Sequence, residues 1–223
     1  MSKAATTTVP VVFITGDPVA EKFVASLARP GGNLTGMALL ASDLDVKRLE
    51  ILQQLVPRAK RVAVILNPSQ ARLESGTKDL EDAGKRLGLT LLMWQARNGP
   101  ELDAAFAEIA AAKIDALHLL ADPVYAAESR RIVEFASRQR LPSIHAFRLF
   151  AQRGGLASYG ANLAAVFRRA AVPVDRILRG AKPGDMPIEQ PTTFEFVINL
   201  KAAKEQGIEI PLTLRQRADE LIE

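Results

Sequence analysis

The sequence contains no cysteine, so disulfides, thiolate zinc sites and thiol catalysis are excluded at the outset. That absence fits an oxidising compartment without requiring one. Aromatic residues make up only 5% of the chain, which leaves few surfaces on which bases or sugars could stack. No apolar run approaches the ~20 residues that cross a bilayer as a helix. Residues 1–8 lack the basic-then-apolar layout of an export signal, so the chain as written is expected to stay in the cytoplasm. Charge of neither sign dominates, since 29 basic and 25 acidic residues are dispersed along 223 positions for a net charge of +4. So mild and scattered an excess gives no ground for a nucleic-acid partner. The G-x-S-x-G elbow, the Walker A sequence and a G-x-G-x-x-G following a strand are all missing.

What is present belongs to a folded protein. Apolar residues account for 48% of the chain and charged ones for 24%, and the length suffices for one large or two small domains with their own cores. The most informative stretch starts with Arg61-Val-Ala-Val-Ile-Leu66, an apolar run ended by Asn67-Pro68. A second run, Asp115-Ala-Leu-His-Leu-Leu120, is ended by Ala121-Asp122-Pro123. Short apolar runs closed by turn residues and separated by helical stretches read as buried parallel strands. Thr90-Leu-Leu-Met-Trp94 supplies a middle strand, and Leu141-Pro-Ser-Ile-His-Ala146 a fourth. Residues 73–87 set Leu73, Gly76, Leu80, Ala83, Gly84 and Leu87 at near-helical spacing, which predicts a crossover helix. In open parallel sheets ligands bind beyond the carboxyl ends of the strands, so Asn67 and Asp122 belong to one rim.

Around this stretch, Val9-Pro-Val-Val-Phe-Ile14 reads as a strand. Asp17 then reads as an N-cap with Pro18 at the first helical position, which predicts a helix through Phe23, Val24 and Leu27. Residues 33–40 look extended, and Ser42-Asp43 is expected to cap a helix running to Leu55. Further helices are predicted from Pro100, over residues 125–140 with Ile132, Val133 and Phe135 inward, and briefly after Phe147. Asn162 and Asn199 each open another, the first carrying Pro173. Leu156-Ala-Ser-Tyr159 and Thr193-Phe-Glu-Phe-Val-Ile198 read as strands, and residues 213–223 as a charged amphipathic helix. The strands at Val9 and Leu156 fall outside the four-strand sheet, so one lobe looks complete and the other a remnant.

A catalytic constellation is hard to assemble from these parts. His118 lies mid-strand and reads as a histidine satisfied in the core, whereas His145 lies close enough to the rim to be either core or site. Metal ligands come as spaced clusters, and there is none. Asp17 reads either as a cap or as a partner for an amine, and Asp122, also followed by proline, reads first as a cap. Tyr159 at a strand end, with an apolar body and a polar tip, suits a pocket. A rim rich in small polar groups and poor in nucleophiles favours binding over catalysis, with no cofactor.

Five motifs then occur in one order: Thr15-Gly-Asp-Pro-Val19, Ala25-Ser-Leu-Ala-Arg-Pro-Gly-Gly-Asn-Leu-Thr-Gly36, the strand ending at Asn67-Pro68, Gly155-Leu-Ala-Ser-Tyr-Gly160, and Pro191-Thr-Thr-Phe-Glu-Phe-Val-Ile-Asn-Leu200. Together they resemble the ABC-transporter substrate-binding protein family that includes tryptophan- and phenylalanine-binding receptors, over nearly the whole chain. The resemblance implies an α/β, periplasmic-binding-protein-like (type I) fold of two Rossmann-like parallel-sheet lobes, closing by hinge motion around a solute delivered to an ABC permease. It implies lobes of residues 1–40 with 156–188 and of 41–155 with 189–223. By position, Thr15 and Asp17 would lie on the first lobe's edge of the cleft, Asn67, Asp122, His145 and Phe147 on the second's, and Ser158 and Tyr159 at a hinge crossing. Family members carry an export signal and further β-α units ahead of the strand at Val9. The first lobe is therefore expected to be incomplete, with its exposed edge and faces driving homodimerisation, and the location implied by the family is periplasmic. The function expected is binding of a small amino-acid-like or carboxylate solute without catalysis. The alternatives are a truncated paralogue acting as a non-binding or dimeric cytoplasmic domain, and a doubly wound α/β enzyme.

Overall fold

The computed structural model describes residues 6–71 and 73–223. The chain divides into a smaller unit, Met1–Leu40 with Ala161–Phe194, and a larger one, Ala41–Gly160 with Glu195–Glu223, so it passes from one to the other three times. In chain order the elements are β1 (Val11–Thr15), β2 (Leu34–Ala38), α1 (Asp45–Leu55), β3 (Arg61–Leu66), α2 (Leu73–Leu87), β4 (Thr90–Gln95), α3 (Gly99–Ala111) and β5 (Ala116–Leu119). They continue with α4 (Pro123–Ala127), α5 (Ser129–Arg138), β6 (Ser143–His145), α6 (Arg148–Gln152), β7 (Ala157–Ala161) and α7 (Leu163–Leu178). The last are β8 (Phe194–Asn199), α8 (Leu200–Glu205), α9 (Leu212–Arg217) and β9 (Glu220–Ile222).

In the smaller unit β1 and β2 pair in parallel, with Val11 opposite Leu34 and Thr15 opposite Ala38. Phe13, Val24, Leu34, Ala38 and Ile188 form one apolar cluster, and Met37, Ala161 and Val166 a second. Gly36 sits at φ +150°, and a Cβ added there would come within 2.0 Å of the Phe13 carbonyl oxygen. Glycine is what lets the two strands meet at that point.

The larger unit is built on a seven-stranded sheet in the order β4-β3-β5-β6-β7-β8-β9. β4 through β7 run parallel. β8 turns back along β7, since Asn199 N–H donates to Leu156 O over 2.9 Å while Asn162 N–H donates to Thr193 O over 3.1 Å. Strand alternation sends side chains to opposite faces. On one face Val62, Val64, Ala116 and Ile144 meet Leu49, Leu52 and Leu55 of α1. On the other, Ala63, Ile65, Leu117 and Leu119 meet Leu102, Phe106, Ile132 and Phe135. Both faces are covered, which is why β3 and β5 are almost wholly apolar rather than alternating. Each fully buried leucine or isoleucine contributes about 1.5–3 kcal/mol relative to exposure.

Several sequence expectations are corrected here. The strand at Leu156 belongs to the larger sheet, because Ile144 pairs with Ala157 and His145 with Ser158; the partner of β1 is the extended stretch after Asn33. β4 is an edge strand, since β3 pairs directly with β5. No helix follows Asp17: the chain makes turns, and Lys22 at φ +59° breaks the right-handed run. The helix to Leu55 starts with a 3-10 turn, Ala41–Leu44, and has no side-chain cap. The helix expected over 125–140 divides at Glu128 into α4 and α5. The tail is no continuous helix, because Ala218 is extended after α9 and β9 then pairs with β8.

One buried charge anchors the first helix. Arg48 of α1 is fully buried. Its Nε donates to Tyr159 O over 2.8 Å, its Nη2 donates to Ala41 O over 2.8 Å, and its Nη1 makes a short ion pair with Asp45. His118 lies beside this group, with Nε2 3.2 Å from Asp45 Oδ1. The alignment of a hydrogen bond is lacking, and neither ring nitrogen of His118 has a partner among the described residues. His118 is thus in the core but makes no hydrogen bond there, while the Asp45 oxygen nearest to it is paired with Arg48.

Candidate functional site

The carboxyl ends of β3, β5 and β6 carry most of the polar residues singled out in the larger unit. After β3 the chain turns at Asn67-Pro68, and Asn67 Oδ1 accepts from Ser69 N–H over 2.9 Å. Asn67 Nδ2 donates across to Asp122 Oδ2 over 3.1 Å. Gln70 Nε2 donates to the same oxygen over 3.0 Å and to Ala121 O over 2.8 Å. Asp122 Oδ1 caps α4 by accepting from Val124 N–H over 2.8 Å, with Pro123 in the first turn. Asp122 therefore takes three donors while almost entirely buried. A carboxylate so engaged is fixed in place, and it leaves about one of its roughly four acceptor positions for anything else.

Beside it lies a cavity of about 10 Å³ lined by Asp122, Tyr125, His145, Phe147 and Phe150 among others, close to the least volume that takes one water molecule. Asp122 from the end of β5, and His145 and Phe147 from the end of β6, thus meet at one spot. Tyr125 was not anticipated; its hydroxyl donates to Ala96 O over 2.7 Å and ties the end of β4 to the rim. Burial, with the Asp122 and Glu101 charges adding, pushes that hydroxyl far above the ordinary tyrosine range, so it stays a neutral donor. Gln70 was also missed. Its only signal was its place three residues into the turn opened by Asn67-Pro68.

His145 is buried, stacks on Phe150 with ring centroids 4.2 Å apart and planes 7° from parallel, and shares a 2.9 Å hydrogen bond with Ser143 Oγ through Nε2. Burial, then His118 and then Arg48, lower its pKa from 6.5 to about 3. The folded protein thus holds His145 neutral where the unfolded chain would protonate it. The stability this contributes is complete well above pH 6.5, and below that it is lost at a rate approaching about 1.4 kcal/mol per pH unit as pH falls toward 3. Urea unfolding at pH 7, 6 and 5 should show a steeper loss for the native chain than for His145→Phe, by a fraction of a proton near pH 7 that approaches one proton by pH 5. Equal slopes would mean that His145 does not titrate in this way.

The remaining candidates stand apart. Ser158, across from His145 in the ladder, is buried and its Oγ has no hydrogen-bond partner among the described residues. Tyr159 does not join the rim: its ring packs on the α1 face of the sheet, edge-on to Phe196 at 6.4 Å, and its carbonyl is the one held by Arg48. In the smaller unit Thr15 Oγ1 donates to Glu21 Oε2 over 2.8 Å, and Asp17 N–H donates to Glu21 Oε1 over 3.1 Å. Asp17 Oδ1 accepts from Val19 N–H over 3.1 Å and Ala20 N–H over 3.0 Å. The Thr15 and Asp17 turn is thus organised by Glu21, which sequence reasoning passed over. Among the described residues no three His, Asp or Glu side chains gather as a metal site, and no helix is long and apolar enough to cross a membrane.

The chain resembles known proteins over most of its length. The model of a family described as ABC transporter substrate binding protein matches residues 1–222. A tyrosine-binding protein of Clostridioides difficile (strain R20291) is 27% identical over 196 residues, which is 87% of this chain and 56% of that protein. The chain thus spans little more than half the length of this curated relative. Among solved structures, the ABC domain from Streptococcus pneumonia in complex with L-Trp superposes with a TM-score of 0.86 at 25% identity, over 98% of this chain and 74% of that one. A conserved domain protein from Vibrio cholerae does so with a TM-score of 0.86 at 28% identity, over 98% and 73%.

Proposed function

Because the chain belongs to the ABC transporter substrate binding protein family and has its type I periplasmic-binding-protein-like α/β fold, we propose that it is the solute-binding component of a bacterial ABC importer. Its ligand is a small amino-acid-like or carboxylate solute, held without catalysis outside the cytoplasm and passed to a membrane permease. The observation that carries this reading is the rim at Asn67, Gln70, Asp122 and Phe147. Polar groups there are fixed in place by one another, at the strand ends where open parallel sheets receive ligands. Such a rim offers an orienting carboxylate and amides but no activated nucleophile. An ammonium group suits the remaining acceptor position of Asp122, and the ring of Phe147 suits an apolar side chain. An aromatic amino acid is the first choice, since one relative is named for tyrosine and another was solved with L-Trp.

A thermal-shift screen against L-Trp, L-Tyr, L-Phe, other amino acids and short carboxylates at millimolar concentration tests this. A solute at a hundredfold over its dissociation constant adds roughly 2.7 kcal/mol of stability, and Asn67→Leu should remove the shift while leaving a cooperative melt. A flat response to every compound, with the same cooperative melt, overturns the reading.

A further inference from the structure

Helix α7 is apolar on two faces. Leu163, Val166, Ala170, Pro173 and Ile177 are turned inward or half-buried, Val166 packing with Met37 and Ala161. One position further along, Ala164, Phe167, Ala171, Val174 and Leu178 form a second stripe that is exposed throughout. Phe167 is 64% exposed and Leu178 82%. A helix with two apolar faces is ordinarily covered on both. The second stripe recurs at alternating steps of three and four residues, the spacing of a seam between two helices rather than of scattered surface positions.

We infer that this stripe pairs with the α7 stripe of a second copy of the chain, the two helices running antiparallel about a two-fold axis near Ala171. Side-chain size fits that arrangement. With Ala171 opposite its own symmetry mate, Phe167 faces Val174 of the second copy and Leu178 faces Ala164 of the second copy, so large meets small along the seam. Charge fits as well. Arg168 and Asp175 flank the stripe on the same side, and the same register sets Arg168 beside Asp175 of the second copy, twice by symmetry. In one chain Asp175 lies 3.0 Å from Arg179, and both side chains are largely exposed, so its carboxylate remains accessible to a further cation. A parallel pair has neither feature. It would set Phe167 against Phe167 and leave Ala164 and Ala171 facing their own kind, with Arg168 and Asp175 each beside an apolar residue. The seam is one helix of 16 residues, about 24 Å long, and a single helix pair of that length buries less than the ~1,200–2,000 Å² of a standard interface. The dimer is accordingly weak and concentration-dependent.

Sedimentation velocity of the full chain from about 1 to 300 µM tests the pairing, with a monomer–dimer midpoint of roughly tens of micromolar expected. Phe167→Glu should weaken dimerisation at least tenfold. Arg168→Asp and Asp175→Arg should each weaken it several-fold, and the double charge swap should restore it, because the pair is then reversed on both copies. Circular dichroism should be unchanged in all of these variants, whose substitutions lie at exposed positions. A monomer across the whole range overturns the inference and leaves the stripe to a different polypeptide. A dimer indifferent to Phe167→Glu, or one not rescued by the double swap, places the contact elsewhere and overturns it equally.

Discussion

Replacing Arg48 with methionine is expected to cost about 3–5 kcal/mol of unfolding free energy, because removing one partner of a buried ion pair strands the other. Methionine keeps the unbranched stem and its packing, so the loss isolates the guanidinium. Asp45 would remain buried with its charge uncompensated, and the carbonyls of Ala41 and Tyr159 would each lose the side-chain donor that now reaches them over 2.8 Å. Those two carbonyls belong to the points where the chain enters the larger unit and is about to leave it. The guanidinium thus fastens both ends of that excursion to α1. Urea unfolding measures the effect as a lower midpoint with an unchanged slope. Removing the partner along with the charge, as Asp45→Leu with Arg48→Met, should recover part of the loss, since no unpaired ion is then left behind. A single Arg48→Met variant that lost less than about 1 kcal/mol, the scale of a single neutral hydrogen bond, would show that the ion pair does not hold the crossing segments.

Gly36→Ala is expected to disable the smaller unit. At φ +150° an L-residue is strained by about 1–3 kcal/mol, and the added methyl would stand 2.0 Å from the Phe13 carbonyl oxygen in the neighbouring strand. Main chain cannot yield as a flexible side chain does, so the clash adds about 1–3 kcal/mol more. A two-stranded sheet has little to spare against such a loss. Amide hydrogen exchange should show protection lost at β1 and β2 and kept at β3 and β5, because the two units carry separate apolar clusters. Retained protection at Phe13 and Met37 in the variant would refute the assignment of Gly36 as a required close approach.

Much of the larger unit was legible because its strands are bounded by residues with one plain meaning. Asn67-Pro68 and Asp122-Pro123 end strands whose partners are equally apolar. Asn162 and Asn199 announce helices whose N–H groups they do accept, from Ala165 over 2.9 Å and from Ala202 over 2.8 Å. Strand order was less legible. Leu156 to Tyr159 is compatible with either sheet, and what places it is the ladder to Ile144 and His145, a contact no local pattern encodes. The helix expected after Asp17 illustrates the opposite failure. Its cap and proline are in place, and Asp17 does accept from Val19 and Ala20, yet the chain closes into local turns and Lys22 lies at positive φ. At the rim, the positions of Asn67, Asp122 and His145 followed from strand ends, whereas Gln70, Tyr125 and Glu21 act through side-chain reach, which depends on turns not readable from residue type. Arg48 left a faint trace: Asp45 and Arg48 share the helical spacing of Leu49, Leu52 and Leu55, so a charged pair stood on the apolar face of α1.

The interrupted path of the chain through its two units has a consequence for biosynthesis. By the time β7 has been made, five parallel strands can assemble, but β8 and β9 follow only after the segment that returns to the smaller unit. At roughly 5–20 residues per second, the ~60 residues from the end of β7 to the end of β9 take about 3–12 s to appear. Throughout that interval the β7 edge of the growing sheet, later closed by β8, is an unpaired template open to any extended chain nearby. The nascent sheet is therefore open to mispairing while the segment between β7 and β8 is being made, and a chaperone that covers the β7 edge during that interval would protect it.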